Sequence, residues 1–146
     1  MTVQIPAPVI KPAGLGCGPI EALAQQLYDE LHMGGYSVMF EDVKKVVIDT
    51  TTFYAGWAPL DVQFKRTGPI TIDEFIPLSA DEWSLILPLC RAHCDLLQAR
   101  LAEASRSMGV EMFGMSVSEA TQIHNQRTDE LPRLAFCCAP WTVGED

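Results

Sequence analysis

Cys90, His93 and Cys94 are the residues whose types and spacing come closest to a chemical site. Positions i, i+3 and i+4 of a helix share one face, and thiolates and imidazoles are the usual ligands of zinc. A tetrahedral site also needs a fourth ligand, for which the candidates are Cys17, His32, Cys137 and Cys138. Cys90 and Cys94 also occupy apolar positions of a helical pattern, where buried thiols pack as small hydrophobic side chains. We favour core packing and expect no bound metal or other cofactor.

The other polar clusters match no catalytic motif. The glycines at positions 14, 16 and 18 suggest a phosphate-binding loop, but the preceding strand, the full spacing and a lysine are all missing. His32, His93 and His124 are scattered, and no serine or cysteine nucleophile has an evident histidine partner. Paired acidic residues fall near the ends of predicted elements, where carboxylates are usually solvated. We therefore expect a protein that is not an enzyme.

The composition limits the classes of partner. The chain has 146 residues, 48% of them hydrophobic, which suits a single globular domain. Its net charge is -9, from 19 acidic against 10 basic residues. Binding to nucleic-acid phosphates or to an anionic membrane needs clustered basic residues, so we expect neither specific nucleic-acid binding nor a membrane partner. The 5 cysteines mostly lie among apolar residues, which indicates reduced, buried thiols.

The strongest element of the sequence is a long amphipathic helix, predicted from Ser79 to Met108. Ser79 and Glu82 form an S-x-x-E capping box, in which each side chain satisfies an amide at the helix start. Apolar residues then recur at steps of four and three, which is typical of a coiled-coil seam. The seam residues are Trp83, Leu87, Cys90, Cys94, Leu97, Leu101, Ala104 and Met108. Pro88 should kink this helix and Gly109 should end it.

Two shorter helices are also predicted. Ile20 to Met33 carries apolar residues at spacings of three and four, between a proline that favours a helix start and a glycine pair that favours a stop. A second capping box, Ser116 to Glu119, opens a helix that should run to Glu130, where Pro132 closes or bends it.

Two further segments are predicted to be β-structure. Tyr36 to Phe75 is dense in β-branched and aromatic residues, and a hairpin signal lies at residues 66–69, so we expect a small antiparallel sheet there. The apolar tail from Leu134 to Val143 should be a strand that pairs with a sheet edge, in this chain or in a neighbour. The predicted fold class is therefore α+β and helix-dominated.

The two ends of the chain are the predicted contact regions. Residues 1–19 are rich in proline and glycine and favour an extended arm, yet apolar residues punctuate them. Residues 20–146 should form one globular domain that ends in the apolar tail 134–146. Exposed apolar and aromatic side chains in the arm, in one turn and in the tail are candidates for an interface. They are Ile5, Val9, Ile10, Trp57, Phe136 and Trp141. Local packing is the alternative for the two tryptophans.

The stretch from Ile70 to Val143 contains a series of short runs in a distinctive order. They are ITIDE at 70–74, LSADEW at 78–83, LAEASR at 101–106, GVE at 109–111, FG at 113–114, SVSE at 116–119, ELP at 130–132 and AF at 135–136. In this order the chain resembles small virion proteins of tailed bacteriophages, of the kind encoded among head and neck genes. The similarity covers about the C-terminal half, and none of its motifs is catalytic.

The resemblance implies a structural subunit of the phage particle. Head-to-tail connector and adaptor proteins of this kind are small and helix-rich, and they form rings whose terminal arms clasp neighbours. The expected partners are further copies of the chain and other phage proteins, such as portal or neck proteins. The expected location is the virion, after assembly in the host cytoplasm. The alternative is a soluble binding or assembly-helper protein that is not retained in the mature particle.

Overall fold

A computed structural model of the chain describes residues 16–109 and 114–138. It confirms a helix-dominated α+β fold with a small antiparallel sheet. In chain order the elements are β1 (Gly16–Pro19), α1 (Ile20–Met33), α2 (Phe40–Ala55), α3 (Asp61–Phe64), β2 (Pro77–Ser79), α4 (Ala80–Ser107) and α5 (Val117–Cys138).

Helix α1 forms where the sequence predicts it. Its buried residues recur at steps of three and four, so they line one face of the helix. They are Ile20, Leu23, Ala24, Leu27 and Leu31. At the C-terminus the N–H of Gly34 donates to carbonyls of the last turn. Gly35 follows with a φ of 88°, which glycine adopts without steric cost.

The prediction of a strand-rich section from Tyr36 to Phe75 is wrong, because most of its first half forms helix α2. The buried residues of α2 recur with the period of a helix: Val43, Val46, Val47, Thr50, Thr51 and Tyr54. Thr51 Oγ1 donates to the carbonyl of Val47 at 2.7 Å, which satisfies its buried hydroxyl inside the helix. Burial of one continuous face therefore outweighs β-propensity, whose full range is only about 1 kcal/mol.

The antiparallel sheet lies elsewhere than predicted. Strand β1 pairs with β2, with Gly16 opposite Ser79 and Pro19 opposite Pro77. The pairing continues into the start of α1, where Ile20 N–H donates to the carbonyl of Ile76 at 3.0 Å. Residues 66–69 form no hairpin, since residues 65–76 of the described chain contain no strand. The last residues of the predicted arm thus belong to the folded domain.

Helix α4 confirms the predicted long helix and its capping box. Ser79 N–H donates to Glu82 Oε1 at 2.9 Å, and Glu82 N–H donates to Ser79 Oγ at 3.3 Å. The helix continues on both sides of Pro88 and is capped by Met108. Gly109 follows with a φ of 84°, as expected of a residue that ends a helix.

The buried face of α4 differs from the predicted seam. Cys90 and Cys94 are fully buried, but Leu101 is 42% exposed and Met108 is 83% exposed. The buried residues are Glu82, Ile86, Leu89, Cys90, Ala92, Cys94, Leu96, Gln98, Ala99 and Ala102. The face changes because the neighbours of α4 change along its length. Its first half joins the main core with α1, α2 and the end of α5, whereas Leu96 and Ala99 form a second, smaller core with Ala120 near the start of α5.

Helix α5 begins at the second predicted cap, where Glu119 N–H donates to Ser116 Oγ at 3.2 Å. It passes through Pro132 and runs to Cys138, so it is longer than predicted. The predicted strand from Leu134 is therefore wrong as far as Cys138, and residues 139–146 lie outside the described chain. Helix α5 extends because Leu131 and Ala135, one turn apart, are buried in the main core.

Candidate functional site

Cys90 and Cys94, the two cysteines considered as possible metal ligands, are packing residues of the main core, as predicted. Burial raises the pKa of the Cys90 thiol to about 12, against a smaller lowering by the side chain of Thr50. Burial also raises the pKa of the Cys94 thiol to about 12. Both thiols are therefore protonated at neutral pH, whereas a metal ligand or a nucleophile is a thiolate. Within residues 16–109 and 114–138, no group of three or more histidine, cysteine or acidic side chains could hold a metal ion.

His93 faces a second histidine, His124 of α5. Its ring lies 5.0 Å from the ring of His124 on α5, in an edge-on arrangement. Burial lowers the pKa of His93, and the nearby His124 lowers it further. The pKa of His124 is also lowered, again mainly by burial. The pair is thus an uncharged contact between α4 and α5 at neutral pH.

Glu82 is a carboxylate that joins three elements. It is 3% exposed, and its two oxygens accept N–H groups from different parts of the chain. Oε1 accepts from Ser79 at 2.9 Å, and Oε2 accepts from Asp61, at the start of α3, at 3.2 Å. Burial raises the pKa of Glu82, and these N–H donors oppose that rise. Every oxygen of this carboxylate is committed to the fold, so its role is structural.

The connection between α1 and α2 is tied to α4 by polar contacts. The hydroxyl of Tyr36 donates to Asp95, and the N–H of Ser37 donates to Gln98 Oε1 at 2.7 Å. Burial and then the contact with Asp95 raise the pKa of Tyr36 to about 12, which keeps the phenol a neutral donor. Tyr36, Asp95 and Gln98 border a small cavity of about 120 Å³. The cluster positions the connection and presents no activated nucleophile.

Beside this connection lies a larger groove, which we call the aromatic groove. Its volume is about 330 Å³, and it is lined by Tyr28, His32, Tyr36, Ser37, Val38, Met39, Phe40 and Glu41. The ring of Tyr28 stacks on His32 at 5.6 Å and meets Phe40 edge-on at 5.8 Å. Lys44 lies over the Phe40 ring at 5.5 Å and pairs with Glu41 and Glu74. These contacts hold the aromatic wall in one arrangement.

Large aromatic side chains also protrude from the connection between α2 and β2. Trp57, Phe64 and Phe75 are 55%, 70% and 67% exposed. Only Trp57 among them was predicted as an interface residue. Its ring meets Phe53 edge-on at 6.4 Å, so its inner edge is supported by α2 while the rest faces solvent. Phe64 and Phe75 are not among the predicted interface residues, because the sequence pattern favours a sheet in which alternate residues of this segment are buried.

The remaining predicted interface residues lie at the two ends of the chain. Phe136, near the end of α5, is 63% exposed. Ile5, Val9, Ile10 and Trp141 lie outside the described residues. The structure therefore leaves the prediction for the N-terminal arm untested, and it places Trp57 and Phe136 at the surface.

Comparison of the chain with protein-family models, with curated proteins and with solved structures found no match. Among the helices of the described residues, none is long and apolar enough to cross a membrane.

Proposed function

We propose that this chain is a non-enzymatic structural subunit of a tailed-phage particle, in the head-to-tail connector or neck region. It acts through contacts between copies in a ring and through contacts with portal or neck proteins. The class of particle comes from the resemblance of residues 70–143 to small phage virion proteins. A protein of this kind needs exposed side chains that become buried on assembly.

The observation that supports this function best is the exposure of Trp57, Phe64 and Phe75. The main core is filled by other side chains, so these three rings contribute little to the stability of the isolated chain. Each large aromatic side chain can bury about 150–250 Å² in an interface. Aromatic residues are enriched in protein interfaces and dominate their binding energy. Exposed rings close together in sequence are therefore best explained by a protein partner.

The arrangement also suits a ring. A ring forms through head-to-tail contacts, in which two different surfaces of one copy meet those of its neighbours. The connection with Trp57, Phe64 and Phe75 can supply one surface. The exposed Phe136 near the end of α5 can supply another. The helices between them, buried against one another, provide a scaffold that keeps the two surfaces in a fixed relation.

Sedimentation of the recombinant chain tests the contribution of these rings. We expect concentration-dependent association, and we expect the double variant Trp57→Ser/Phe75→Ser to weaken it at least about tenfold. Met33→Ser, at an 89% exposed position at the end of α1, is the control and should associate as the parent does. A parent chain that stays monomeric at all concentrations, alone and with its particle proteins, would contradict the proposal.

The alternative function is a soluble assembly helper, and one observation favours it. The C-terminal half of the predicted seam on α4, with Leu101 and Met108, lies open to solvent and could receive a partner helix. Mass spectrometry of intact purified particles separates the two functions. A structural subunit is retained in mature particles at a fixed copy number. A helper is present during assembly and absent from the mature particle.

A further inference from the structure

The aromatic groove is a formed concave surface on the described chain. The rings of Tyr28, Tyr36 and Phe40 pack against the main core and also line the groove. Met39, at its edge, is 68% exposed. Glu41 places a carboxylate at the same edge. The groove thus offers rigid aromatic walls, an exposed thioether and one acidic group.

This chemistry fits an extended, proline-rich peptide. Proline-rich segments adopt the polyproline conformation before binding, so little conformational entropy is lost when they dock into grooves lined by aromatic residues. Flanking basic residues of such peptides pair with acidic groups at the edge of the groove.

The chain itself carries such a segment in residues 5–12. It contains Pro6, Pro8 and Pro12, with Ile5 and Val9 between them. Lys11 is the one charged side chain of residues 1–15, and all 19 acidic residues of the protein lie after it. The segment is therefore basic and apolar on an otherwise acidic protein, and Lys11 can pair with Glu41, which is 75% exposed and also contacts Lys44.

We propose that the aromatic groove binds residues 5–12 of a neighbouring copy of the chain. This inference rests on the proposed function and identifies the contact by which a terminal arm clasps its neighbour. The prolines and apolar side chains lie along the rings of Tyr28, Tyr36 and Phe40, and Lys11 meets Glu41.

The geometry favours a neighbour over the same chain. The arm enters the described fold at Gly16, which pairs with Ser79 at the start of α4. The groove lies beside Tyr36, which contacts Asp95. A helical rise of about 1.5 Å per residue places Ser79 and Asp95 about 24 Å apart along the axis. Even fully extended, the chain between Pro12 and Gly16 spans only about 14 Å. The same chain therefore has little slack with which to bring Pro12 to the Tyr36 end of the groove, whereas the segment of a neighbouring copy has no such limit.

Two variants and their mixture test the contact. Met39→Ser removes an exposed apolar side chain from the groove, and Ile5→Ser/Val9→Ser removes two from the arm. Each should weaken association of the full chain at least about tenfold, measured by sedimentation equilibrium. Met33→Ser, 89% exposed but outside the groove lining, is the control for the groove variant, and Gln4→Ser is the control for the arm variant. Melting curves establish that each variant is folded.

Mixing the two defective variants is the decisive measurement. One retains an intact arm and the other an intact groove, so the mixture should form a complex between one copy of each. The inference is overturned if both variants associate as the parent does. It is equally overturned if the mixture stays monomeric while each variant is folded, because the arm would then bind its own chain or another surface.

The same data separate this inference from the proposed function. Arm-to-groove binding in a protein that is absent from purified particles would leave the inference standing and contradict the proposed function. A particle-bound ring whose association is insensitive to both variants would contradict the inference alone.

Discussion

Glu82 shows how one buried side chain can organise several elements. Its carboxylate accepts backbone N–H groups from Ser79 and from Asp61, which precede α4 and open α3. In Glu82→Gln, one acceptor oxygen is replaced by an NH₂ group that points a donor at a backbone donor. A buried donor left without an acceptor costs about 1–3 kcal/mol, so we expect the free energy of unfolding to fall by that amount. Urea denaturation measures it.

Glu119 provides the matched control for Glu82. It occupies the corresponding position at the start of α5, where its N–H donates to Ser116 Oγ, but its side chain is exposed. Glu119→Gln should therefore change the free energy of unfolding by less than about 0.5 kcal/mol. Equal effects of the two substitutions would contradict the structural role assigned to Glu82.

The histidine pair predicts a dependence of stability on pH. Burial lowers the pKa values of His93 and His124 in the folded chain below their ordinary value of 6.5. Among the surrounding charges, Asp49 favours protonation of His93, whereas Arg100 and Lys45 oppose it. The unfolded chain therefore binds more protons than the folded chain as the pH falls through 6.5. Linkage then requires the free energy of unfolding to decrease as the pH falls through that range.

Substitution of His124 tests whether the histidine pair causes this dependence of the free energy of unfolding on pH. His124→Gln should make the decrease in stability below pH 6.5 shallower, as measured by urea denaturation at a series of pH values. Gln122→Ala, at an exposed position on α5 that cannot bind a proton in this range, should leave the slope unchanged. A steeper slope in His124→Gln would mean that the folded chain binds the protons, contrary to the geometry.

At the residue scale, local patterns predicted the site only in part. The capping boxes and the burial of Cys90 and Cys94 follow from neighbours a few positions away, so the sequence indicated them. The contacts of Tyr36 with Asp95 and of Ser37 with Gln98 join residues far apart in the chain. They depend on how α1 and α2 pack against α4, which no local spacing determines. The aromatic groove was missed for the same reason.

At the scale of elements, helix α1 was predicted with its exact bounds and α2 was missed entirely. Both have buried residues at steps of three and four. In α1 the proline, the glycines and the apolar spacing all indicate a helix. In α2 the run of valines and threonines favours a strand, and only the spacing of Val43, Val47 and Tyr54 favours a helix. The β-propensity of these residues predicts a strand, whereas the burial of one helical face determines the structure that forms.

The buried face of helix α4 also differs from the face that the heptad pattern predicts. A heptad seam assumes one set of neighbours along the whole helix, but α4 contacts both α2 and α5, and its two halves lie in different cores. Helices α4 and α5 run antiparallel, since Ala120 packs near Leu96 and Ala99 whereas His124 meets His93. The small residues Ala99 and Ala102 are buried in this second half of α4. The change of neighbours shifts the buried face and leaves Leu101 and Met108 exposed.

The start of α2 offers a direct test of this helix. Met39 is its N-cap residue, has an extended backbone conformation and makes no side-chain cap hydrogen bond. Serine at that position can accept an N–H of the first turn, so Met39→Ser should raise the free energy of unfolding by about 0.5–1 kcal/mol. Met33→Ser should change it by less than about 0.5 kcal/mol. If α2 were a strand, the cap would give no stabilisation and Met39→Ser would behave as Met33→Ser does.

At the scale of the whole molecule, the net charge and the exposed rings suit the proposed ring subunit. The net charge of -9 repels DNA phosphates, so a ring of such subunits could line a channel through which DNA slides without binding. In the proposed ring, association would come from apolar contacts, which Trp57, Phe64 and Phe75 can provide, and from the basic, proline-rich arm.

Cryo-electron microscopy of purified particles tests the central claim most directly. We expect a closed ring of copies at the neck, in which each copy shows the 28-residue helix α4, about 42 Å long, and buries Trp57 and Phe75 against a neighbour. A neck whose density is fully accounted for by other proteins, in particles from which this chain is absent, would contradict the account.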